Sequence, residues 1–261
     1  MVPHKACFFM NRLPLFAAVL AAWLSAPAWA GSFTVGVETT DYLPISSGES
    51  DGGYSGYARE LLDLFAAKYG HTFIYKTLPV ARANNEFSIK RSLDFRFPDT
   101  ANWAVDLKKG VAVVYSKALV TVIEGLLVAP ANKGKGVASI RKLGTIRGYT
   151  PTPYFDQIKA GTMTVTEVNT VDSAIHMADV GRVDGVYMSP IVGNYIMTEV
   201  MRKPGTLVYD SSLPKSSNDF SLSTIAHPEV IKQMDEFLSK EKDTVAKLKA
   251  KYKIVEYGAA R

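Results

Sequence analysis

The sequence predicts an α/β protein of two lobes, each a mixed, mostly parallel sheet flanked by helices. Three observations carry this prediction. Short β-rich apolar runs alternate with amphipathic helical stretches, the order that builds parallel sheets. The alternation occurs twice, before residue 117 and again after a Gly/Lys-rich break, "ANKGKG", at 131–136. Two extended segments, near 117–129 and 206–216, stand between the two sets as hinge crossings. The first lobe is therefore expected at 31–117 plus 217–261, and the second at 118–216.

The first thirty residues are set apart from the fold. Lys5 and Arg12 are their only charges, an apolar run follows from Leu13 to about Trp23, and Ala28-Trp29-Ala30 ends them. A basic start, a short apolar middle and a small-x-small end read as a secretory leader cleaved near Ala30. The apolar run is shorter than the roughly 20 residues a spanning helix needs. Cys7 is the only cysteine, so neither disulfides nor a lipid anchor is expected after cleavage.

"FTVGV" (33–37) reads as the first strand. A polar, Gly-rich stretch follows, and Ser55 is a candidate N-cap for a helix whose apolar face is Ala58, Leu61, Leu62, Phe65 and Tyr69. Gly70 is its stop. "TFIYKTL", "LDFRF" and "GVAVVYS" read as the next strands, and Ala118 to Pro130 as one long extended run. In the second set, "LGTIRG", "MTVTEV" and "VDGVYMS" read as strands. Helices are expected from Pro153 to Lys159, Val171 to Val180 and Ile191 to Met201. "LVYDSSL" is extended, "FSLSTIA" is a strand, and an amphipathic helical region begins near Pro228. Asp94 and Asp184 each precede a strand, where a carboxylate accepts backbone N–H groups.

Lys and Arg number 30 against 25 Asp and Glu, a net charge of +5 that falls to +3 once Lys5 and Arg12 leave. That balance is too mild to imply nucleic acid or a membrane surface as partner. His71, His176 and His227 are scattered without metal-ligand spacing, and neither a nucleophile elbow nor a phosphate loop is present. No metal, cofactor or enzymatic activity is expected.

Four stretches together carry a resemblance: "GYSGYARELLDLFAAKYG", "SIRKLGTIRGYTP", "DVGRVDGVYMSP" and "HPEVIKQMDEFLSKEKDTVAKLKAKY". In this order, behind a leader, they resemble the extracytoplasmic solute-binding proteins of family 3, which serve polar amino acid uptake. The resemblance spans nearly all of 33–255. It implies a monomeric periplasmic protein of the type II binding-protein fold that closes on a small ligand. The bound form would then dock on the permease of an ATP-driven importer. A rival is a sensing module that reports to a membrane receptor, and a lesser one is a dehydratase-like enzyme with Glu38 or Asp99 as general acid.

Two ligand positions depart from that family. Its members carry Thr-x-x-Arg where this chain has Thr100 to Trp103, and an aspartate where this chain has Ser189. Both ends of the usual amino acid clamp are missing. Other residues therefore become candidates for the ligand site. Arg96 stands between Phe95 and Phe97 near the carboxyl end of a strand, where ligands of open sheets collect. It is either a bidentate donor to an anionic ligand or an internal ion pair with a residue such as Asp99. Arg82 sits at a helix start, an unfavourable place for a cation, so a ligand carboxylate or Glu86 should reward it. Glu38, Tyr42 and Trp103 stand in loops at the strand ends, where Glu38, with Asp41, could bind a cationic group or cap a turn and the rings could flank a flat or apolar part of a ligand. Asp99 and Ser189 are counted with them as candidate ligand-site residues. Tyr149 and Thr150 precede a helix start that Thr150 or Thr152 can cap. On Arg82 and Arg96 rests the expectation of an anionic or carboxylate-bearing solute.

Overall fold

A computed structural model describes Met1 and residues 31–49, 51–147 and 149–257; the expected leader at 1–30 lies outside the described residues apart from Met1. One curled mixed sheet runs through the molecule, built of strands that belong to the two predicted sets. Its order is Thr164–Val168, Lys142–Ile146, Gly185–Met188, Val120–Val128, Ser216–Thr224, Phe95–Asp99, Ser32–Glu38 and Thr72–Leu78. Pairing is parallel within each outer group and antiparallel around the two long central strands.

Those central strands connect the lobes. Val120–Val128 pairs with Ser216–Thr224 through its first half, from Val120↔Phe220 to Glu124↔Ser216. Its second half pairs with Gly185–Met188 and Val208–Tyr209. The far half of Ser216–Thr224 turns to Phe95–Asp99 and to the short strand Val114–Tyr115. The second central strand thus begins where the expected 206–216 crossing ends. "GVAVVYS" contributes only the two-residue strand Val114–Tyr115, against the longer strand expected.

The first helix, Tyr57–Tyr69, buries Tyr57, Leu61, Leu62 and Phe65 against strand residues Val35, Val37, Phe95 and Phe97. Its cap differs from the expectation: Ser55 lies in the two-residue strand Tyr54–Ser55, and Gly56 occupies the N-cap at φ 100°. A Cβ there would meet the Ile45 carbonyl oxygen at 2.8 Å, so the close backbone approach requires glycine. Gly70 ends the helix in the left-handed conformation, as expected. The Tyr57 hydroxyl donates to the Leu119 carbonyl at 2.8 Å and ties this helix to the chain entering the crossing.

Asp94 and Asp184 play matching structural roles. Asp94 Oδ2 accepts from the Thr34 N–H at 2.7 Å and the Thr34 hydroxyl at 2.8 Å. Asp184 Oδ2 accepts from the Arg141 and Lys142 N–H groups at 2.8 and 2.7 Å. Each carboxylate pins the start of the neighbouring parallel strand.

Candidate functional site

A cavity of about 550 Å3 opens at the carboxyl end of the first strand, between the two lobes. The chain before the central strands supplies Glu38, Thr40, Tyr42, Ser46, Val80, Pro98, Asn102 and Trp103; the chain between them supplies Tyr149, Thr150 and Thr152. The floor is one face of the paired central strands. Alternation along Ser216–Thr224 turns Ser216, Asn218 and Phe220 to the cavity, and Glu124, directly opposite Ser216, joins them. On the strand's other face Gly125 packs against the Tyr209 ring, where a Cβ would sit 2.8 Å from Cε2.

Four aromatic rings run along this cavity. Tyr42 has its centroid 6.1 Å from Tyr149 and 6.0 Å from Phe220, and Trp103 meets Phe220 edge-on at 5.3 Å. Ligand cavities of 300–1,000 Å3 with mostly apolar walls and a few convergent polar groups are the usual form of a small-molecule site.

No family model matches the chain, and no curated protein matches it. Solved structures do. The L-cystine solute receptor of Neisseria gonorrhoeae, in its unliganded open conformation, is similar with a TM-score of 0.63 at 16% identity, covering 86% of this chain and 94% of that one. An ancestral amino acid-binding protein, a precursor of cyclohexadienyl dehydratase, is similar at 0.61 and 18%, covering 85% and 95%. A histidine kinase sensor domain similar to periplasmic binding proteins gives 0.61 and 17%, also covering 85% and 95%.

The fold is that of the two-lobed, type II periplasmic binding proteins.

In that frame the predicted site residues separate into two groups. Glu38, Tyr42, Trp103, Tyr149 and Thr150 line the cavity. Arg82, Arg96, Asp99 and Ser189 are not among its lining residues.

Arg96 is an internal ion pair. Its side chain is 1% exposed and donates to Glu38 Oε1 at 2.9 Å and to the Pro98 carbonyl, with Asp99 Oδ1 3.8 Å away. Asp99 is itself buried and accepts from Lys108 Nζ at 2.6 Å and from the Ser223 hydroxyl at 2.7 Å. Two cations and two carboxylates therefore balance around the Phe95–Asp99 strand. This answers why the chain places arginine between two phenylalanines: Phe95 and Phe97 enter the core, and Arg96 reaches across the strand ends to neutralise Glu38. The same network removes Asp99 as a free general acid and leaves Glu38 ion-paired.

Arg82 lies on the outer face of Val80–Ser88, its side chain 67% exposed and its nearest carboxylate Glu86 at 3.7 Å. Glu86, one turn along, is what rewards the cation. The expectation of an anionic solute loses both of its arginines, because one is consumed by Glu38 and the other faces solvent. Ser189 is fully buried behind the Tyr42 phenol. Thr150 and Thr152 do not cap a helix: the segment opens as the 3-10 turn Thr152–Tyr154 with no side-chain cap bond, then Phe155–Lys159. Both threonines are exposed at the cavity instead.

Burial shapes the titration of the cavity. Desolvation raises the Glu38 carboxyl above its ordinary value, with Arg96 opposing that rise. Desolvation likewise raises Glu124, opposed only by the hydrogen bond that the Tyr42 hydroxyl donates to Oε1 at 3.3 Å. Tyr42 and Tyr149 are pushed far up, first by burial and next by the Glu124 charge, so both phenols stay neutral.

Glu124, Phe220, Asn102, Asn218 and Ser216 are cavity residues that the sequence reading passed over. Glu124 carried a usable signal: it is the one charge in the apolar run "ALVTVIEGLLVAP", the same anomaly that singled out Arg96. The others stand in stretches that give no sign of the face they present. Among the described residues no cluster of His, Cys, Asp and Glu could hold a metal ion, and no helix is long and apolar enough to cross a membrane.

Proposed function

We propose that the protein is a periplasmic solute-binding protein that captures a small organic molecule in the cleft between its lobes and delivers it to a membrane importer. Its first lobe would be residues 31–117 and 217–261 and its second 118–216, the leader at 1–30 serving for export. The observation that carries this reading is the cavity itself: about 550 Å3, walled by both lobes and floored by the two strands that join them. A solute touching both walls makes more contacts when the lobes close, and that difference drives closure. The protein would act by binding, not by catalysis, since the candidate acids Glu38 and Asp99 are held by Arg96 and Lys108.

The similar histidine kinase sensor domain supports a second reading, in which the closed form reports to a membrane receptor. The two share the cleft and differ in the partner. Loss of solute uptake in cells lacking the protein supports import; unchanged uptake with a lost transcriptional response supports sensing.

Thermal unfolding of protein stripped of carried solute by unfolding and refolding tests the binding itself. The set to screen comprises amines, amino acids, organic acids, sugars and aromatic metabolites. A solute at 100 times its dissociation constant adds about 2.7 kcal/mol. A flat response to the whole set would refute solute capture.

A further inference from the structure

Among the described residues the cavity has one charge without a counter-ion, and it is negative. Glu38 is matched by Arg96, and Asp99 by Lys108. Glu124 has no such match: no Lys, Arg or His among the described residues pairs with it, and none lines the cavity. Its one polar contact is the Tyr42 hydroxyl at 3.3 Å, a long bond for a carboxylate. A carboxylate withdrawn from water in this way is costly unless a cation joins it.

Its surroundings suit a cation as well. Tyr42, Tyr149, Phe220 and Trp103 line the same space. Aromatic faces attract ammonium groups, most strongly where water is excluded. Ser216, Asn218 and Asn102 add neutral polar groups able to orient a bound molecule. A ligand carboxylate, in contrast, would meet Glu38 and Glu124 with no lining cation to hold it.

Resting on the reading of this cleft as the solute site, we propose that the solute is an organic ammonium ion without a carboxylate. Its charged nitrogen sits against Glu124, and its flat or apolar body lies along Tyr42, Tyr149, Phe220 and Trp103. The proposal separates this chain from binders of free α-amino acids, whose carboxylate needs a cationic partner.

Isothermal titration of the purified protein with three matched probes tests it: phenethylamine, its uncharged isostere 2-phenylethanol, and phenylalanine, which adds a carboxylate. Benzyltrimethylammonium and putrescine extend the series to a permanent cation and a diamine. We expect the amine series to contain the tightest probe, and phenethylamine to bind at least about tenfold more tightly than the alcohol or the amino acid, the scale of one charge-assisted hydrogen bond. In Glu124→Gln that preference should vanish while 2-phenylethanol binds as before. Tighter binding of phenylalanine, or a cation preference that survives in folded Glu124→Gln, overturns the proposal. The wild-type comparison stands alone if the variant does not fold. Binding of a sugar or an organic acid in preference to every amine also overturns it, yet leaves solute capture intact. Silence of every compound class in the thermal screen overturns both.

Discussion

Removing Arg96 should cost the protein stability rather than its solute. In Arg96→Met the side-chain volume is nearly kept, but Glu38 loses a 2.9 Å ion pair and the Pro98 carbonyl loses its donor. Asp99 keeps Lys108 and Ser223. One carboxylate is thus left without a counter-ion. Breaking a buried pair from one side costs about 3–5 kcal/mol. The lower end applies here, because Glu38 is only partly buried at the cavity edge and can take up a proton. About 3 kcal/mol lowers the melting temperature of a domain of this size by roughly 6–12 °C. Burial already holds the folded-state Glu38 above its ordinary value of 4.5, and loss of Arg96 raises it further. The deficit relative to wild type is therefore full at pH values above the variant's raised pKa, and it fades as pH falls from there to the wild-type folded value, which itself lies above 4.5. Calorimetric melts of both proteins between pH 4 and pH 8 measure this directly. Adding Glu38→Gln should restore most of the melting temperature, since the stranded charge is gone. A variant that melts with wild type but no longer binds the solute would refute the reasoning and return Arg96 to the cleft.

Other consequences can be checked together. Binding of benzyltrimethylammonium, which does not titrate, should be constant at high pH and weaken as pH falls through the raised pKa of Glu124; Tyr42 and Tyr149 stay neutral throughout, and Glu38 is the other acid to control for. Trp103 lies in the cleft and is the one tryptophan of residues 31–261, so solute binding should change the intrinsic fluorescence of that fragment, and Trp103→Phe should abolish that signal. Gly56→Ala should lose about 2 kcal/mol or more in denaturant melts, because φ 100° and the nearby Ile45 carbonyl both exclude a Cβ. Asp184→Ala should cost roughly 0.5–1.5 kcal/mol in denaturant melts, because water replaces the carboxylate at two exposed backbone N–H groups, with solute affinity unchanged.

Local chemistry was enough to read most elements. The first helix shows its apolar spacing and its stop between Ala58 and Gly70, and the structure follows both. Its start was misplaced because Ser55 is a good cap by type, whereas a strand pairing with Ser47 holds it outside the helix. "GVAVVYS" is β-rich by composition, yet only Val114 and Tyr115 find a partner strand. Propensity describes a segment alone; pairing depends on what the rest of the chain brings alongside.

The α/β class, the two sets of strands and the aromatic residues Tyr42, Trp103 and Tyr149 that reach the cleft are legible in the chain alone, because periodicity and turn residues act over a few neighbours. It also revealed that Arg96 must be neutralised. Which group neutralises it was a tertiary decision, made when the strand carrying Glu38 aligned in parallel with the one carrying Arg96, placing Gly36 beside Arg96. That pairing removed the arginine from the cleft. The pairing of Glu124 with Ser216, 92 positions later, left a carboxylate there instead. Charge type is written in the sequence, but its compensation is set by contacts between distant strands, and in this protein that compensation decides what the cleft can hold.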